Sequence, residues 1–285
     1  MKNIFTLLLA VFTSFSMMAN VSLSDKEILM KLYEATNGSQ WKMKWDLSQD
    51  FTTWSGVKVI NNKVVALNLQ DNNLEGIIPA ELGTLQSLEE LNLHKNKLSG
   101  SIPGSLGNLK ELKILDLSFN NLSDVIPASL CNLSQLKKLE LYMNRLSGEL
   151  PAALGNLQNL ETLAVFNNEI EGAIPASFYQ MTSLKVALLN SNKLTGTLSP
   201  DVANLTQLAN FSLFENNFQG QVPLSIEKLD NLKEMNISYN KFNGLVTKKL
   251  ATLDTLNMTM INDSGVAYLM NVAVEMDKRP IVSEE

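Results

Sequence analysis

The chain holds one histidine, His94, and one cysteine, Cys131, among its 285 residues. These are the side chains with the most to offer chemistry. A histidine works as a general base only beside a nucleophile or a metal. Asp71 and Asp116 fall near His94 if neighbouring strands share a register, but no nucleophile is spaced to complete the set. A zinc-type site needs several nitrogen or sulfur ligands, and one His plus one Cys cannot supply them. No acidic loop has the alternating spacing that calcium requires. His94 is therefore expected to be a solvated surface residue, and Cys131 a small buried one, since a reactive thiol needs an activating base. No enzyme activity, metal or cofactor is expected.

A second set of residues suggests contact rather than catalysis. Phe119, Tyr142, Met143, Ala164, Phe166, Val186, Leu188 and Phe214 are apolar and mostly large. They carry no charge, and Tyr142 alone brings a hydroxyl. Such groups bind by burial and by ring stacking. Whether they meet depends on the elements that carry them.

Those elements repeat every 24 residues. Leu67, Leu91, Leu115, Leu139, Leu163, Ala187, Phe211 and Met235 share one phase, and all are apolar. Two residues further on, Leu69, Leu93, Leu117, Leu141, Val165, Leu189, Leu213 and Ile237 do the same. Five residues from the start of each unit stands Asn: 72, 96, 120, 144, 168, 192, 216 and 240. Gly recurs at 76, 100, 148, 172, 196, 220 and 244, with Asp124 as the departure, and Pro at 79, 103, 127, 151, 175 and 223. The alternating LxL predicts a short strand. Asn, Gly and Pro predict a turn after it. Leucines three apart, as at 106, 109 and 112, predict a helical or 3₁₀ turn on the way back. A single unit cannot bury its own leucines, so units stack and share one core. A buried Asn amide can donate and accept at once, which suits backbone groups that stacking removes from water.

The unit LxxLxLxxNxLxGxIPxxLGNLxx resembles the leucine-rich repeat of plant receptor ectodomains, which bacterial secreted proteins also contain. The resemblance spans residues 64–256. It implies an α/β fold class: a curved right-handed solenoid with a parallel sheet on its concave face and 3₁₀ or irregular turns on its convex side. Residues 20–63 resemble the helical N-terminal cap of that family, with Ile28, Leu29, Leu32 and Tyr33 on one helix face. Trp41, Trp45 and Trp54 are expected to cover the end of the first repeat. Plant caps carry a cysteine pair where Thr52 and Lys58 stand here. That departure points to a bacterial source. Residues 257–276 are read as a C-terminal cap, containing a ninth strand at 256–262 with Thr259 at a core position and a closing strand from 267. Residues 277–285 are read as a disordered tail.

In a strand written LxL, the residues before, between and after the two leucines point outward. They form the concave face. In the fifth, sixth and seventh repeats these outward triplets carry no charge, and they hold Ala164, Phe166, Val186, Leu188 and Phe214. Tyr142 borders them, and Phe119, Met143 and Tyr239 lie one position past the triplets. This patch is the expected ligand-binding site.

The remaining features set the context. Residues 1–19 have a basic start and a short apolar run, as a secretory signal peptide does. No second apolar span follows, so no membrane span is expected. A net charge of −6 without a Lys/Arg run argues against nucleic-acid partners. Sequons occur at Asn37, Asn121, Asn132, Asn204, Asn236 and Asn257. The expected protein is a secreted, periplasmic or cell-surface recognition module, monomeric, that binds a protein, peptide or glycan on its concave face. A structural or adhesive spacer is the alternative, as is an inhibitor of a secreted enzyme, by resemblance to plant inhibitors of pectin-degrading enzymes.

Overall fold

The computed structural model describes residues 23–254, 256 and 258–272. The signal peptide expected over 1–19 and the tail expected over 277–285 lie outside the described residues.

Helix α1, Asp25–Ala35, opens the described chain. Its first turn is closed by a capping box: the Ser24 side chain accepts from the Glu27 N–H while Glu27 accepts from the Ser24 N–H. Ile28, Leu29 and Leu32 are its buried face. The three tryptophans pack beneath it, with Trp45 stacked on Trp54 at 4.6 Å and Trp41 edge-on to Trp45 at 4.8 Å. Each buried indole N–H finds a backbone carbonyl: Thr36, Ser55 and Asp46, all at 2.9 Å. The cap thus buries large rings without orphaning a polar atom.

A nine-stranded sheet runs through the repeats. Strand Val57–Ile60 pairs antiparallel with Lys63–Asn68 and closes the first edge. The others are parallel: Glu90–Asn92, Ile114–Asp116, Lys138–Glu140, Thr162–Ala164, Val186–Leu188, Asn210–Ser212 and Glu234–Asn236. Register advances by one repeat at each step, so Leu91 faces Leu115, Leu115 faces Leu139, and Leu139 faces Leu163. These side chains are at most 1% exposed and form one continuous core. Most repeats return through a 3₁₀ helix, such as Gly104–Asn108 or Ala176–Gln180.

The asparagine column wires the stack together. In the middle of it, the Asn168 Oδ1 accepts from the Leu146 N–H at 2.9 Å. Its Nδ2 donates to Leu141 O at 3.0 Å and Val165 O at 2.9 Å. The same pattern recurs at Asn120, Asn144, Asn192, Asn216 and Asn240. Each amide bridges its own turn to the preceding one.

Two features depart from the sequence reading. The Gly-bearing turns form ladders of their own: Glu75–Ile77, Lys97–Ser101 and Asn121–Ser123 make one small sheet, and Ser147–Glu149, Glu169–Ala173 and Lys193–Thr195 another. Near-identical turns stacked in register align their N–H and C=O groups, which then pair. The expected ninth strand does not extend the long sheet. Thr259–Ile261 pairs antiparallel with Ala267–Leu269 instead. Met258 and Met260 are buried there and Thr259 is half-buried, so the core phase lies one residue from the expected one. Asp254 explains the break. Its carboxylate takes the Ile237 N–H at 2.8 Å and the Ser238 hydroxyl at 3.0 Å. That satisfies donors of the eighth repeat without a further parallel strand.

Candidate functional site

The concave face is set by the strand phase. Residues that alternate with the core leucines stand out from the sheet, and the next residue turns with a positive φ. Asp71, Lys95, Phe119, Met143, Asn167, Ser191, Glu215 and Tyr239 all lie in this left-handed region, between 49° and 58°. Asn tolerates it well and bulky residues do not. Yet Phe119 and Tyr239 occupy it at 53° and 58° while remaining 42% and 39% exposed. The fold imposes this conformation at every repeat, and at two of them the residue that bears its cost is an exposed aromatic ring.

The rings form two groups. His94 meets Phe119 edge-on at 5.3 Å, Phe119 meets Tyr142 at 5.5 Å, and Tyr142 stacks on Phe166 at 4.4 Å with planes 9° apart. Phe214 and Tyr239 form the second group, edge-on at 5.2 Å. Val186 and Leu188 lie half-buried between the groups, and Met143 half-buried beside the first. The sequence-predicted residues therefore share one face. Ala164 is the correction. It is 2% exposed, because its methyl lies in register between Glu140 and Leu188 on the flanking strands, whose longer side chains cover it. It is floor rather than contact.

His94 is a second correction. Its side chain is 23% exposed, and the ring packs on Phe119 instead of standing free in solvent. Its Nδ1 lies 2.8 Å from Ser118 Oγ, and that hydroxyl lies 2.5 Å from Asp116 Oδ1. Ser118 has one hydroxyl proton and gives it to Asp116, so Nδ1–H donates to Ser118. A hydrolytic triad needs the opposite order, with serine donating to histidine. The three residue types are present, and the proton runs the wrong way for nucleophilic attack.

Charge collects beside the first aromatic group. Asp116 is 8% exposed, and Glu140 stands beside it on the next strand. Burial pushes the Glu140 carboxyl above its ordinary range, and the neighbouring Asp116 adds to that, although the Lys138 ammonium at 2.8 Å pulls it down. The bond to Glu140 raises Lys138 in turn. Sequence reasoning missed these carboxylates as part of the site. The signal was present in the outward phase of repeats three and four. Among the described residues no group of three His, Cys, Asp or Glu side chains is placed to hold a metal ion. A groove of about 680 Å³ lies elsewhere, lined by Ile77, Pro79, Glu81, Pro103 and Asp124 on the turn side of the early repeats. It holds no aromatic ring, and the concave ladder is the better site on chemistry.

Residues 62–122 match the family described as leucine rich repeat, and residues 123–263 the one described as leucine-rich repeat region. No curated protein matches. A plant peptide hormone receptor, RGFR1 in complex with RGF2, is 29% identical over 73% of this chain and 32% of its own, with a TM-score of 0.64. A plant ice-binding protein is 26% identical over 88% of this chain and 98% of its own, with a TM-score of 0.61. The BIR3–SERK2 complex from Arabidopsis thaliana matches at 30% identity over 60% of this chain and 95% of that chain, with a TM-score of 0.53. The chain spans about a third of the length of the hormone receptor it resembles. Among the described residues no helix is long and apolar enough to cross a membrane.

Proposed function

This chain belongs to the leucine-rich repeat family, and from that premise we propose that it is a recognition module that binds a protein or peptide partner on its concave face. One observation carries the reading. The outward phase of the strands brings Phe119, Tyr142, Phe166 and Leu188 to one surface, where the Phe119 ring is exposed and the stacked Tyr142 and Phe166 rings and Leu188 are half-buried beside it. Exposed aromatic clusters inside a polar rim are what protein interfaces are built on. The similarity to a receptor solved with a peptide hormone supports a peptide as the kind of partner. The basic, apolar start of the sequence supports action outside the cytoplasm.

The test is a peptide and surface-protein array probed with the parent chain and with a Phe166→Ser/Leu188→Asp double variant. Both side chains stand on the concave face and are half-buried, so the variant should lose no more than about 1–3 kcal/mol and stay folded, which a thermal melt alongside the array checks. The expected result is a set of ligands captured by the parent and lost by the variant. Equal capture by both refutes the concave site.

A second reading has one observation behind it: the resemblance to a plant ice-binding protein extends over 98% of that chain. A rigid solenoid with side chains at a fixed repeat can match a regular solid surface. Thermal hysteresis and ice recrystallisation measurements decide it, and a freezing point equal to the melting point removes the reading.

A further inference from the structure

We propose that the concave face selects an extended peptide segment with an apolar centre flanked by lysine or arginine side chains. This rests on the peptide-recognition reading above and adds the chemistry of the ligand.

The inference comes from how charge is placed around the rings. The outward strand phases and the position after them hold six carboxylates, Asp71, Glu90, Asp116, Glu140, Glu215 and Glu234, against two lysines, Lys95 and Lys138. Both lysines are already engaged, Lys95 with Asp71 at 3.3 Å and Lys138 with Glu140 at 2.8 Å. That leaves Glu90 and, buried behind it, Asp116 before the apolar stretch, and the exposed Glu215 and Glu234 after it. Among the described residues none of these four lies within salt-bridge distance of a lysine or arginine. Three are oriented by uncharged groups. Ser118 donates to Asp116, Ser191 donates to Glu215 at 2.8 Å, and the Asn210 amide donates to Glu234 at 2.7 Å. Neutral donors fix a carboxylate without cancelling its charge. A concave surface lined by one sign of charge concentrates the opposite sign.

The dimensions fit a short peptide. From the strand of Asp116 to that of Glu215 there are four strand steps, or about 19 Å at ~4.8 Å per step. An extended chain at ~3.3 Å per residue covers that in about six residues. Basic side chains at its ends would meet the carboxylates, and the two ring groups would take apolar or aromatic side chains between them. The exposed rings also offer their faces to a cation passing over them. A neutral glycan could stack on the rings but would leave the charge at both ends unanswered.

Two synthetic peptides of eight residues test this. They share a central Leu-Phe-Leu-Phe and carry either two lysines or two glutamates at each end. Binding to the full chain is measured by calorimetry at low salt. The lysine-ended peptide should bind at least about tenfold more tightly, since several screened ion pairs act together with removal of like-charge repulsion. The ratio should shrink toward one as salt approaches ~1 M, where the screening length falls to about 3 Å. Glu215→Gln/Glu234→Gln should narrow it as well, and both residues are exposed, so the fold should be unaffected. Equal binding of the two peptides overturns the charge selection. If that binding is still lost in the Phe166→Ser/Leu188→Asp variant, concave recognition survives without it. Binding of cello-oligosaccharides with neither peptide bound overturns the inference in favour of a glycan. Binding of neither peptide nor glycan overturns the inference too, while the array screen judges the broader reading separately.

Discussion

The asparagine column makes the firmest quantitative prediction, and Asn120 is its best test. Asn120 is 7% exposed, so water cannot replace its bonds. Its Oδ1 accepts from the Leu98 N–H at 3.0 Å. Its Nδ2 donates to Leu93 O at 3.0 Å and Leu117 O at 3.1 Å. In Asn120→Ala the two carbonyls keep one partner each, because Asn96 also donates to Leu93 O and Asn144 to Leu117 O. The Leu98 N–H loses the amide oxygen it points at. One stranded buried donor costs about 1–3 kcal/mol, and the two lost carbonyl bonds about 0.5–1.5 kcal/mol each. The ranges sum to about 2–6 kcal/mol, centred near 4 kcal/mol. For a domain of this size that centre lowers Tm by about 8–16 °C. Thermal and urea melts followed by circular dichroism read it, with exposed Asn121→Ala as the control. Asn120→Asp sharpens the test. It keeps the acceptor but aims a carboxylate oxygen at two carbonyls, so it should destabilise at neutral pH about as much as alanine does. If Asn120→Ala melts within ~2 °C of the control, or if Asn120→Asp matches wild type, the account of the column is wrong.

Three further outcomes follow from local geometry. Gly107→Ala would place a Cβ 2.2 Å from the Ser129 carbonyl oxygen of the next turn, and this overpacking should cost about 1–3 kcal/mol in a urea melt; an unchanged midpoint would mean the turns can part freely. The Cys131 thiol is 3% exposed and burial pushes its pKa up to about 11, so a thiol reagent at about pH 8 should label it only in denaturant, and rapid labelling of the folded chain would contradict its burial. Glu140 holds its proton in the folded state to a higher pH than in the unfolded chain, so its contribution to stability is greatest below the carboxylate range and declines as pH rises through it. The Tm difference between wild type and Glu140→Gln should therefore move against wild type from about pH 4 to 7, and a slope of the opposite sign would show that the Lys138 pair dominates instead.

Much of the architecture is legible in the sequence because the repeat is its own alignment. Leu67, Leu91 and Leu115 announce a shared core phase, and the structure stacks them strand on strand. The rings at 142, 166 and 214 could be placed on one face by counting. What counting could not give is distance and partnership. Nothing in the spacing says that Tyr142 lies flat on Phe166, or that Ala164 is roofed by its neighbours. The C-terminal phase error has a similar cause. The period ends there, and with it the alignment, so Met258 and Met260 took the core positions that the extrapolated repeat assigned to Thr259.

The sequence by itself determined the solenoid, the identity of its core and the side on which variable residues gather. Those follow from periodicity, since every unit must bury the same positions against the next. Only the tertiary structure decided how side chains 24 residues apart act on one another. It set the proton order of His94, Ser118 and Asp116, placed Asp116 beside Glu140, and left Glu215 and Glu234 exposed beyond the aromatic stretch. The physical reason is that stacking fixes neighbours to within about 5 Å across the strands, the range in which stacking and charge operate, and a linear sequence carries no such distance.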